Sequence, residues 1–479
     1  MHISKMDALH RRAFLKRSAQ MGAMGAAAPF ALNMSLINDA AAFTGTGPYQ
    51  ALVCLFLLGG NDQDDTLIPY DDTNYNLYSA IRGGGGGQTA GGIARAKADL
   101  AATLLNPVAP QTLTNNIQYA LHPAMTRMKA HWDQQRMATL LNVGTLIRPT
   151  TLSEYESSDR ARYPLPFGLF SHNDQQSVWQ SSAPEGATSG WGGRLADIAM
   201  TSNTNSIFTA ISAAGNSVFL TGRSALAYQV SGNGAVRLRN GSTRVAGSTT
   251  AFDMMREIMT QPDPSAHIFE GEYNRVTKRS IDSEGVYSAG VNATTLATPF
   301  SQNDQTSGIA AQLRIVARSI AARQALGVNR QVFFVTMGGY DNHDDLIPDH
   351  DSLLAQLDFA TDAFYKATVE MGIADQVTLF TASDFGRTAS SNGDGSDHGW
   401  GGHHFVLGGG VKGGRHYGIA PEVSTTGESQ VGQGRLIPTT SVDQYGATLA
   451  SWLGASSGEM STLFPNIGNF SGTNLGLFN

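Results

Sequence analysis

The sequence contains 479 residues, of which 15% are charged and 41% are hydrophobic, and its formal net charge is −7. This composition excludes a wholly disordered chain, and the acidic balance excludes a nucleic-acid-binding protein, which needs a basic surface to contact phosphates. Cys54 is the only cysteine, so no disulfide can form within the chain.

The first 42 residues have the pattern of an export signal. An arginine pair, Arg11-Arg12, precedes Phe14-Leu15 and Lys16, an order that is similar to the twin-arginine export motif. The apolar stretch that follows is too short and too weakly hydrophobic to span a membrane. Ala40-Ala41-Ala42 then resembles a cleavage site. We expect a signal peptide at residues 1–42 and a mature chain at residues 43–479, and the alternative for the first segment is a basic amphipathic helix.

Along the mature chain, apolar runs alternate with segments of helical periodicity, which favours an α/β fold with a largely parallel sheet. Residues 51–58 form a continuous apolar run, the pattern of a strand that is buried on both faces. Further strands are predicted at residues 137–143, 332–336, 377–381 and 405–407, and amphipathic helices at residues 309–326, 352–371 and 442–453.

Two segments depart from this alternation. Five consecutive glycines at residues 83–87 predict a surface loop. Residues 203–248 are rich in Thr, Ser, Gly and Val, which predicts a small β-rich insertion or cap. Because we find no Pro/Ser-rich linker, we expect one elaborated domain.

An aspartate follows each of three predicted buried strands. Asp62 comes after Gly59-Gly60 and the first strand, Asp341 comes after the strand at residues 332–336, and Asp384 comes after the strand at residues 377–381. Because sites in open α/β sheets form at the carboxyl ends of the strands, we expect the three carboxylates to share one edge. Clustered carboxylates repel one another unless a cation or a proton lies between them, which favours a divalent metal. Taken singly, such aspartates are ordinary turn formers and helix caps.

Histidines occur near the same strand ends. His343 lies two residues after Asp341, Asp397-His398 lies in the loop after the third strand, and His403 begins the last predicted strand. Mixed Asp and His ligands suit Zn, Mn or Fe, whereas an all-oxygen set would favour Mg or Ca. We therefore predict a divalent metal, Zn or Mn ahead of Ca or Mg. The candidate ligands are Asp62, Asp341, His343, Asp384, Asp397, His398 and His403.

The ordered motifs of the chain resemble those of a bacterial exported family known as a domain of unknown function, number 1501. Besides the leader and the strand that ends in GGND, they are LHP at residues 121–123, SHN at 171–173, GGYDNH at 338–343, SDFGR at 383–387, DHG at 397–399 and VKGG at 411–414. That family is grouped with the alkaline phosphatase/arylsulfatase-like superfamily. The resemblance implies a doubly wound, mostly parallel sheet flanked by helices, with one or two metals at the strand ends.

The superfamily pattern matches this chain in part. Asp62 matches its first metal-binding aspartate, and Asp341 with His343 is similar to a later Asp/His pair at shorter spacing. Where the superfamily usually has Asp-His-Gly at a strand end, this chain has Asp384-Phe385-Gly386, so the expected histidine is replaced. Either His398 fills that vacancy or the second metal is missing.

The superfamily also implies a nucleophile, a Ser, a Thr or a formylglycine at a helix N-terminus beside the metal. Ser171 is the candidate, and the alternative is a helix-capping serine with Asp174 three residues later. Arg387 is expected to bind an anionic substrate oxygen or, equally, to pair with the local aspartates. His122, His172 and His350 are further candidate ligands of second rank.

These features imply an exported, metal-dependent hydrolase of phosphate or sulfate esters, with a small anionic ester as its substrate. The twin-arginine machinery would deliver it to the periplasm or the cell exterior, without stable membrane insertion and without a nucleic-acid partner. The alternative is a non-catalytic secreted protein that keeps the fold and binds or assembles with another exported protein. The alternative is favoured by Phe385 and by the lack of a clear nucleophile motif.

Export can be tested on the arginine pair. Because the export receptor reads both guanidinium groups, changing Arg11 and Arg12 to lysine should leave the precursor in the cytoplasm, as measured by immunoblotting of cell fractions. N-terminal sequencing of the wild-type exported protein should find a start near Phe43. Normal periplasmic accumulation of the double-lysine variant would contradict the twin-arginine interpretation.

Overall fold

The computed structural model describes residues 47–83, 92–237, 244–261, 267–302 and 304–478. The predicted signal peptide and most of the predicted glycine loop lie outside these ranges. Within the described ranges, no helix is both long enough and apolar enough to cross a membrane.

The described strands are β1 (Gln50–Leu57), β2 (Leu67–Pro69), β3 (Tyr119–Leu121), β4 (Met137–Gly144), β5 (Ala210–Ser212), β6 (Tyr228–Ser231), β7 (Gly234–Ala235), β8 (Arg330–Met337), β9 (Val377–Ser383), β10 (Arg387–Ser391), β11 (Ser396–His398), β12 (Gly402–Gly408), β13 (His416–Gly418) and β14 (Thr440–Ser441). Ten of them form one sheet in the order β13-β4-β12-β9-β1-β8-β5-β6-β7, with β14 also paired to β4. β2 pairs with β3, and β10 pairs with β11, in two small antiparallel sheets.

The described helices are α1 (Gln63–Thr66), α2 (Asp72–Ile81), α3 (Lys97–Leu100), α4 (Thr126–Asp133), α5 (Leu152–Glu156), α6 (His172–Ser181), α7 (Trp191–Ala199), α8 (Thr249–Thr260), α9 (Ile268–Asn292), α10 (Gly308–Ala321), α11 (Leu346–Glu370), α12 (Val442–Leu453) and α13 (Met460–Leu463). The predicted strands appear as β1, β4, β8, β9 and β12, and the three predicted helices appear as α10, α11 and α12. The segment at residues 203–248 contributes β5, β6 and β7, which extend the main sheet beyond β8.

Alternate side chains of β1 point to opposite faces of the sheet, as strand geometry requires. Val53 belongs to a buried core with Leu313 of α10 and Leu354 of α11. Phe56 belongs to a second buried core with Leu195 of α7 and Tyr445 of α12. Helices therefore cover both faces of a mostly parallel sheet, which explains why β1 is apolar throughout and confirms the predicted α/β class.

The register of the central strands sets the position of the site. β9, β1 and β8 are parallel neighbours, and Leu57 at the end of β1 pairs with both Met337 of β8 and Ser383 of β9. The three strands therefore end at the same level. β12 runs antiparallel to β9, so the residues that precede β12 reach this same edge from the opposite direction.

Candidate metal centre

Side chains from three separate parts of the chain meet at this edge of the sheet. Asp341 follows β8, His398 ends β11 just before β12, and His172 is the first residue of α6. His172 Nε2 lies 3.3 Å from Asp341 Oδ2, and His398 Nε2 lies 3.2 Å from Asp341 Oδ1. One donor atom from each of the three residues lies within 4.8 Å of the others.

The spacing of these donors suits a small divalent cation. Ligand atoms about 2.0–2.1 Å from a tetrahedral zinc ion are separated by about 3.3 Å. Each Nε2 atom lies at this separation from one oxygen of Asp341, His172 at 3.3 Å from Oδ2 and His398 at 3.2 Å from Oδ1. Two imidazoles and one carboxylate also favour Zn, Mn or Fe over the harder Ca and Mg, which prefer oxygen ligands.

The outer nitrogens of the two imidazoles are held in the manner of metal-binding histidines. His172 Nδ1 lies 2.7 Å from Asp384 Oδ2, and His398 Nδ1 lies 2.7 Å from the carbonyl oxygen of Phe170. Because each acceptor requires a proton on Nδ1, the neutral imidazoles present unprotonated Nε2 atoms to Asp341. Two lone pairs and a carboxylate at this spacing repel one another unless a cation or a proton lies between them.

Of the two imidazoles, His172 is the one whose Nδ1 partner is a buried carboxylate. The Asp384 side chain is fully buried, and it also accepts hydrogen bonds from Gln176 Nε2 and from the Gly59 amide. The hydrogen bond to Asp384 raises the pKa of His172, whereas burial lowers the pKa of His398. The surroundings therefore favour a proton on His172 more than on His398.

His343 lies on the outer side of the same carboxylate. Its Nε2 is 3.2 Å from Asp341 Oδ1 and 3.0 Å from His398 Nε2, and its Nδ1 is 3.2 Å from Asp397 Oδ1. The His343 side chain is 41% exposed. The structure thus offers two donor sets that share Asp341 and His398, and the set completed by His172 is the more rigid because its histidine is held by a buried carboxylate.

Arg387 holds Asp341 from the protein interior. Its guanidinium is fully buried and donates to the carbonyl oxygens of Gly59 and Ser396 as well as to Asp341 Oδ1 at 3.1 Å. Burial raises the pKa of Asp341, but the hydrogen bond and charge of Arg387, together with the neighbouring His172 and His343, outweigh it and hold the pKa below its usual value. Of the two roles expected for Arg387, the structure supports the ion pair and not contact with a substrate.

The Gly-Gly pair after β1 is required by close packing. A Cβ on Gly59, whose φ is 116°, would lie 2.4 Å from the amide nitrogen of Asp341. A Cβ on Gly60 would lie 2.5 Å from the ring of Phe385. That ring packs 4.9 Å from His172 and 4.7 Å from His398, centroid to centroid. Phe385 therefore supplies an apolar wall to the two histidines.

Two of the predicted ligands lie elsewhere and have other roles. Asp62 caps α1 by accepting the amides of Asp64 and Asp65, and its second oxygen accepts from Arg82 and Ser396. Burial raises the pKa of Asp62, but the charges of Arg82 and His350 and the hydrogen bond from Arg82 together outweigh it and lower that pKa, and both carboxylate oxygens already accept hydrogen bonds. His403 is buried in β12, where its Nδ1 accepts the Asn142 amide and burial lowers its pKa to about 4. The structure therefore places neither side chain among the converging donors, and their assignment as ligands stays a prediction.

Asp384 and Asp397 support the candidate ligands instead of joining them. Each carboxylate contacts the Nδ1 atom of a histidine, Asp384 with His172 and Asp397 with His343. Such outer partners fix the orientation of metal-binding imidazoles. His172, by contrast, was predicted only as a ligand of second rank, and the structure places it among the three converging donors. The SHN motif at the start of α6 was the sequence feature that could have indicated this.

The remaining second-rank histidines surround a different carboxylate, Asp65. His350 Nδ1 lies 3.1 Å from Asp65 Oδ2, and His122 Nε2 lies 3.8 Å from it. His122 Nδ1 accepts the amide of Ala124, so its proton resides on Nε2 and that atom is not a metal donor. Arg95 donates to both oxygens of Asp65, so that carboxylate already has a buried cationic partner.

Ser171 lies between two residues of the centre and begins α6. Its side chain makes no capping hydrogen bond, so the capping-box interpretation is not supported by the structure. Phe170 before it has a φ of 71°, a strained conformation for a non-glycine residue that costs about 1–3 kcal/mol. This conformation accompanies the hydrogen bond between the Phe170 carbonyl and His398. Strain of this kind is concentrated at functional sites.

The fold and the site define an α/β protein with a candidate metal centre at the carboxyl ends of a parallel sheet. The family model described as "Protein of unknown function (DUF1501)" matches residues 49–448, and the chain belongs to that family, as its ordered motifs predicted.

Two solved structures are similar to the chain. One is Ps i-CgsB in complex with k-i-k-neocarrahexaose, which is 12% identical to this chain with a TM-score of 0.34. That match covers 89% of this chain and 78% of the Ps i-CgsB chain. The PsFucS1 sulfatase from Pseudoalteromonas sp. is 12% identical, covers 90% and 74%, and has a TM-score of 0.35. A search of curated protein sequences finds no significant match.

Zinc affinity tests the ligand assignment. His172→Ala and Asp341→Ala should each weaken zinc binding by at least about 100-fold, and Asp384→Asn by about 10- to 100-fold, because Asp384 orients a ligand. Affinity for zinc should also fall as the pH is lowered through the raised pKa of His172, since protonation competes with the cation. Competition titration with a chromogenic chelator measures each value.

Two variants serve as controls in that titration. His267→Ala removes an exposed histidine at the start of α9 and should bind zinc like the wild type. His343→Ala should lose less than about tenfold, because the donor set completed by His172 remains intact. A larger loss for His343→Ala than for His172→Ala would place the cation in the outer donor set and contradict the assignment.

Proposed function

We propose that this protein is an exported, metal-dependent hydrolase of phosphate or sulfate monoesters. The observation that carries the proposal is the convergence of His172, His398 and Asp341, with both imidazoles oriented by hydrogen bonds at Nδ1. These three residues would hold the cation, with zinc or manganese favoured by the mixed nitrogen and oxygen donors. When bound, such a cation polarises an ester oxygen and lowers the pKa of a neighbouring hydroxyl or water.

The residues around the donors would supply the other parts of a hydrolytic site. Ser171 offers a hydroxyl group that is not used for capping, at the N-terminus of a ten-residue helix whose amides stabilise an anion. His343 is oriented by Asp397 at Nδ1, so its Nε2 would accept the proton of the attacking hydroxyl and then deliver it to the departing alkoxide oxygen. Arg387 and Asp384 act behind these groups by fixing Asp341 and His172.

Export is the second part of this proposal. It rests on the twin-arginine leader and its Ala-rich cleavage site. A folded, metal-loaded protein is the usual cargo of that route, and a chain with one cysteine needs no oxidising compartment to fold. The competing function, a non-catalytic secreted binding protein, draws its support from Phe385, which leaves the centre without the histidine of the superfamily pattern.

A pair of serine variants tests catalysis. If Ser171 is the nucleophile, Ser171→Ala in the zinc-loaded protein should lower kcat for 4-nitrophenyl phosphate or sulfate by at least about 100-fold, because it deletes the attacking oxygen. Its zinc content and its free energy of unfolding should stay near the wild-type values, since the hydroxyl makes no cap. Spectrophotometric assays and urea unfolding measure these quantities.

Ser248→Ala is the matched control. Ser248 caps α8 through a 3.1 Å hydrogen bond from the Ala251 amide, so its loss should cost about 1 kcal/mol of stability and leave kcat unchanged. Activity that survives Ser171→Ala would assign the attack to a water molecule. A zinc-loaded wild type that hydrolyses none of a panel of phosphate and sulfate esters would contradict the hydrolase proposal and favour the binding protein.

A further inference from the structure

A cleft opens beside the candidate metal centre and has one cationic side and one aromatic side. Its volume is about 360 Å³, and its lining includes His343 and His398 of the centre. Arg435 provides the cation, Tyr155 and Phe170 provide the rings, and the Asp397 carboxylate, which is paired with His343 Nδ1, also lines the cleft. None of Arg435, Tyr155 and Phe170 was singled out by the sequence motifs.

Arg435 is positioned by its Nε atom and keeps other donors available. Nε donates to the carbonyl oxygen of His398 at 2.7 Å, and the guanidinium carbon lies 5.6 Å from the centroid of the Phe170 ring. Nη1 makes one long contact of 3.4 Å with the Gly432 carbonyl, and Nη2 has no protein acceptor among the described residues. Unlike Arg387, which is fully buried and bound on several sides, Arg435 is half-buried with a free edge toward the cleft.

The aromatic side of the cleft is held rigidly. Tyr155 lies in α5, a short helix that begins with a capping box between Thr151 and Glu154. Arg148 forms an ion pair with Glu154 at 2.9 Å. The Tyr155 ring also lies 6.1 Å from the ring of the buried Trp400. Phe170 is fixed through its carbonyl contact with His398. A rigid apolar wall that faces a guanidinium favours a ligand with both a ring and an anionic group.

We propose that this cleft is the substrate subsite and that it takes monoester anions whose alcohol carries a ring with an apolar face. Arg435 binds the anionic oxygens as a two-point donor, and Tyr155 and Phe170 pack against the ring. This inference rests on the proposed hydrolase function for the reaction itself. The three side chains assigned to binding, Arg435, Tyr155 and Phe170, take no part in the bond-breaking step.

Non-hydrolysable phosphonates test the subsite without turnover. Calorimetric titration of the full mature chain, with and without added zinc, should find that phenylphosphonate binds about three- to tenfold more tightly than methylphosphonate, because of the ring contacts. Arg435→Gln should weaken both phosphonates by about 10- to 100-fold. Tyr155→Ala should remove the preference for the phenyl compound and leave methylphosphonate affinity near the wild-type value.

Arg314→Gln is the matched control, since Arg314 is a half-buried arginine whose Nη2 donates to the Gly232 carbonyl on another part of the surface. It should bind both phosphonates like the wild type. Unchanged affinity in Arg435→Gln, or equal affinity of the wild type for the two compounds, would overturn the inference. A protein that shows the expected binding pattern but hydrolyses no ester would contradict the proposed function alone.

Discussion

The carboxylate of Asp341 is the group on which the rest of the site depends. It faces the Nε2 atoms of His172, His343 and His398 at 3.2–3.3 Å, and the Arg387 guanidinium holds it from behind at 3.1 Å. One arginine cannot offset both the carboxylate and the lone pairs of histidines that are already committed at Nδ1. A proton or a cation at this point would relieve the repulsion, and that need supports the proposed metal centre.

Hydrogen bonds among residues outside the candidate metal centre hold Asp341 and Arg387 in position. Asp62 accepts from the Ser396 hydroxyl at 2.7 Å, and the Ser396 carbonyl accepts from Arg387 at 2.5 Å. A charged aspartate after β1 thus fixes the segment that holds Arg387, although it contacts no candidate ligand. Its burial with Arg82 makes it a structural anchor, and breaking such a pair costs about 3–5 kcal/mol.

The sequence predicts the scaffold well because buried strands and amphipathic helices have strong local patterns. The continuous apolar run of β1 and the Asp341–His343 spacing place these residues correctly at the edge of the sheet. Local patterns could not separate Asp62 from Asp341, since both follow a Gly-Gly turn after a buried strand. The difference arises from Arg82, which is twenty residues away in the chain and pairs with Asp62 only in the folded protein.

Contacts that form only in the folded protein also explain why the sequence did not predict the positions of His172 and Arg435. His172 reaches the centre because α6 packs with its first turn against the ends of β8 and β9, a tertiary contact with no periodic signature. Arg435 follows a glycine-rich turn whose approach to His398 depends on the whole sheet. Arg387 was recognised by its motif, but only its full burial shows that it supports Asp341 and does not face the cleft.

The central claim is that His172, His398 and Asp341 hold one divalent cation. Crystals of the zinc-loaded protein, measured by anomalous diffraction above and below the zinc absorption edge, test it most directly. The account predicts one anomalous peak about 2.0–2.1 Å from both Nε2 atoms and from a carboxylate oxygen of Asp341. The Nδ1 contacts of His172 with Asp384 and of His398 with the Phe170 carbonyl should be retained. A peak bound by Asp62 or His403, or no peak at the edge of the sheet, would contradict the account.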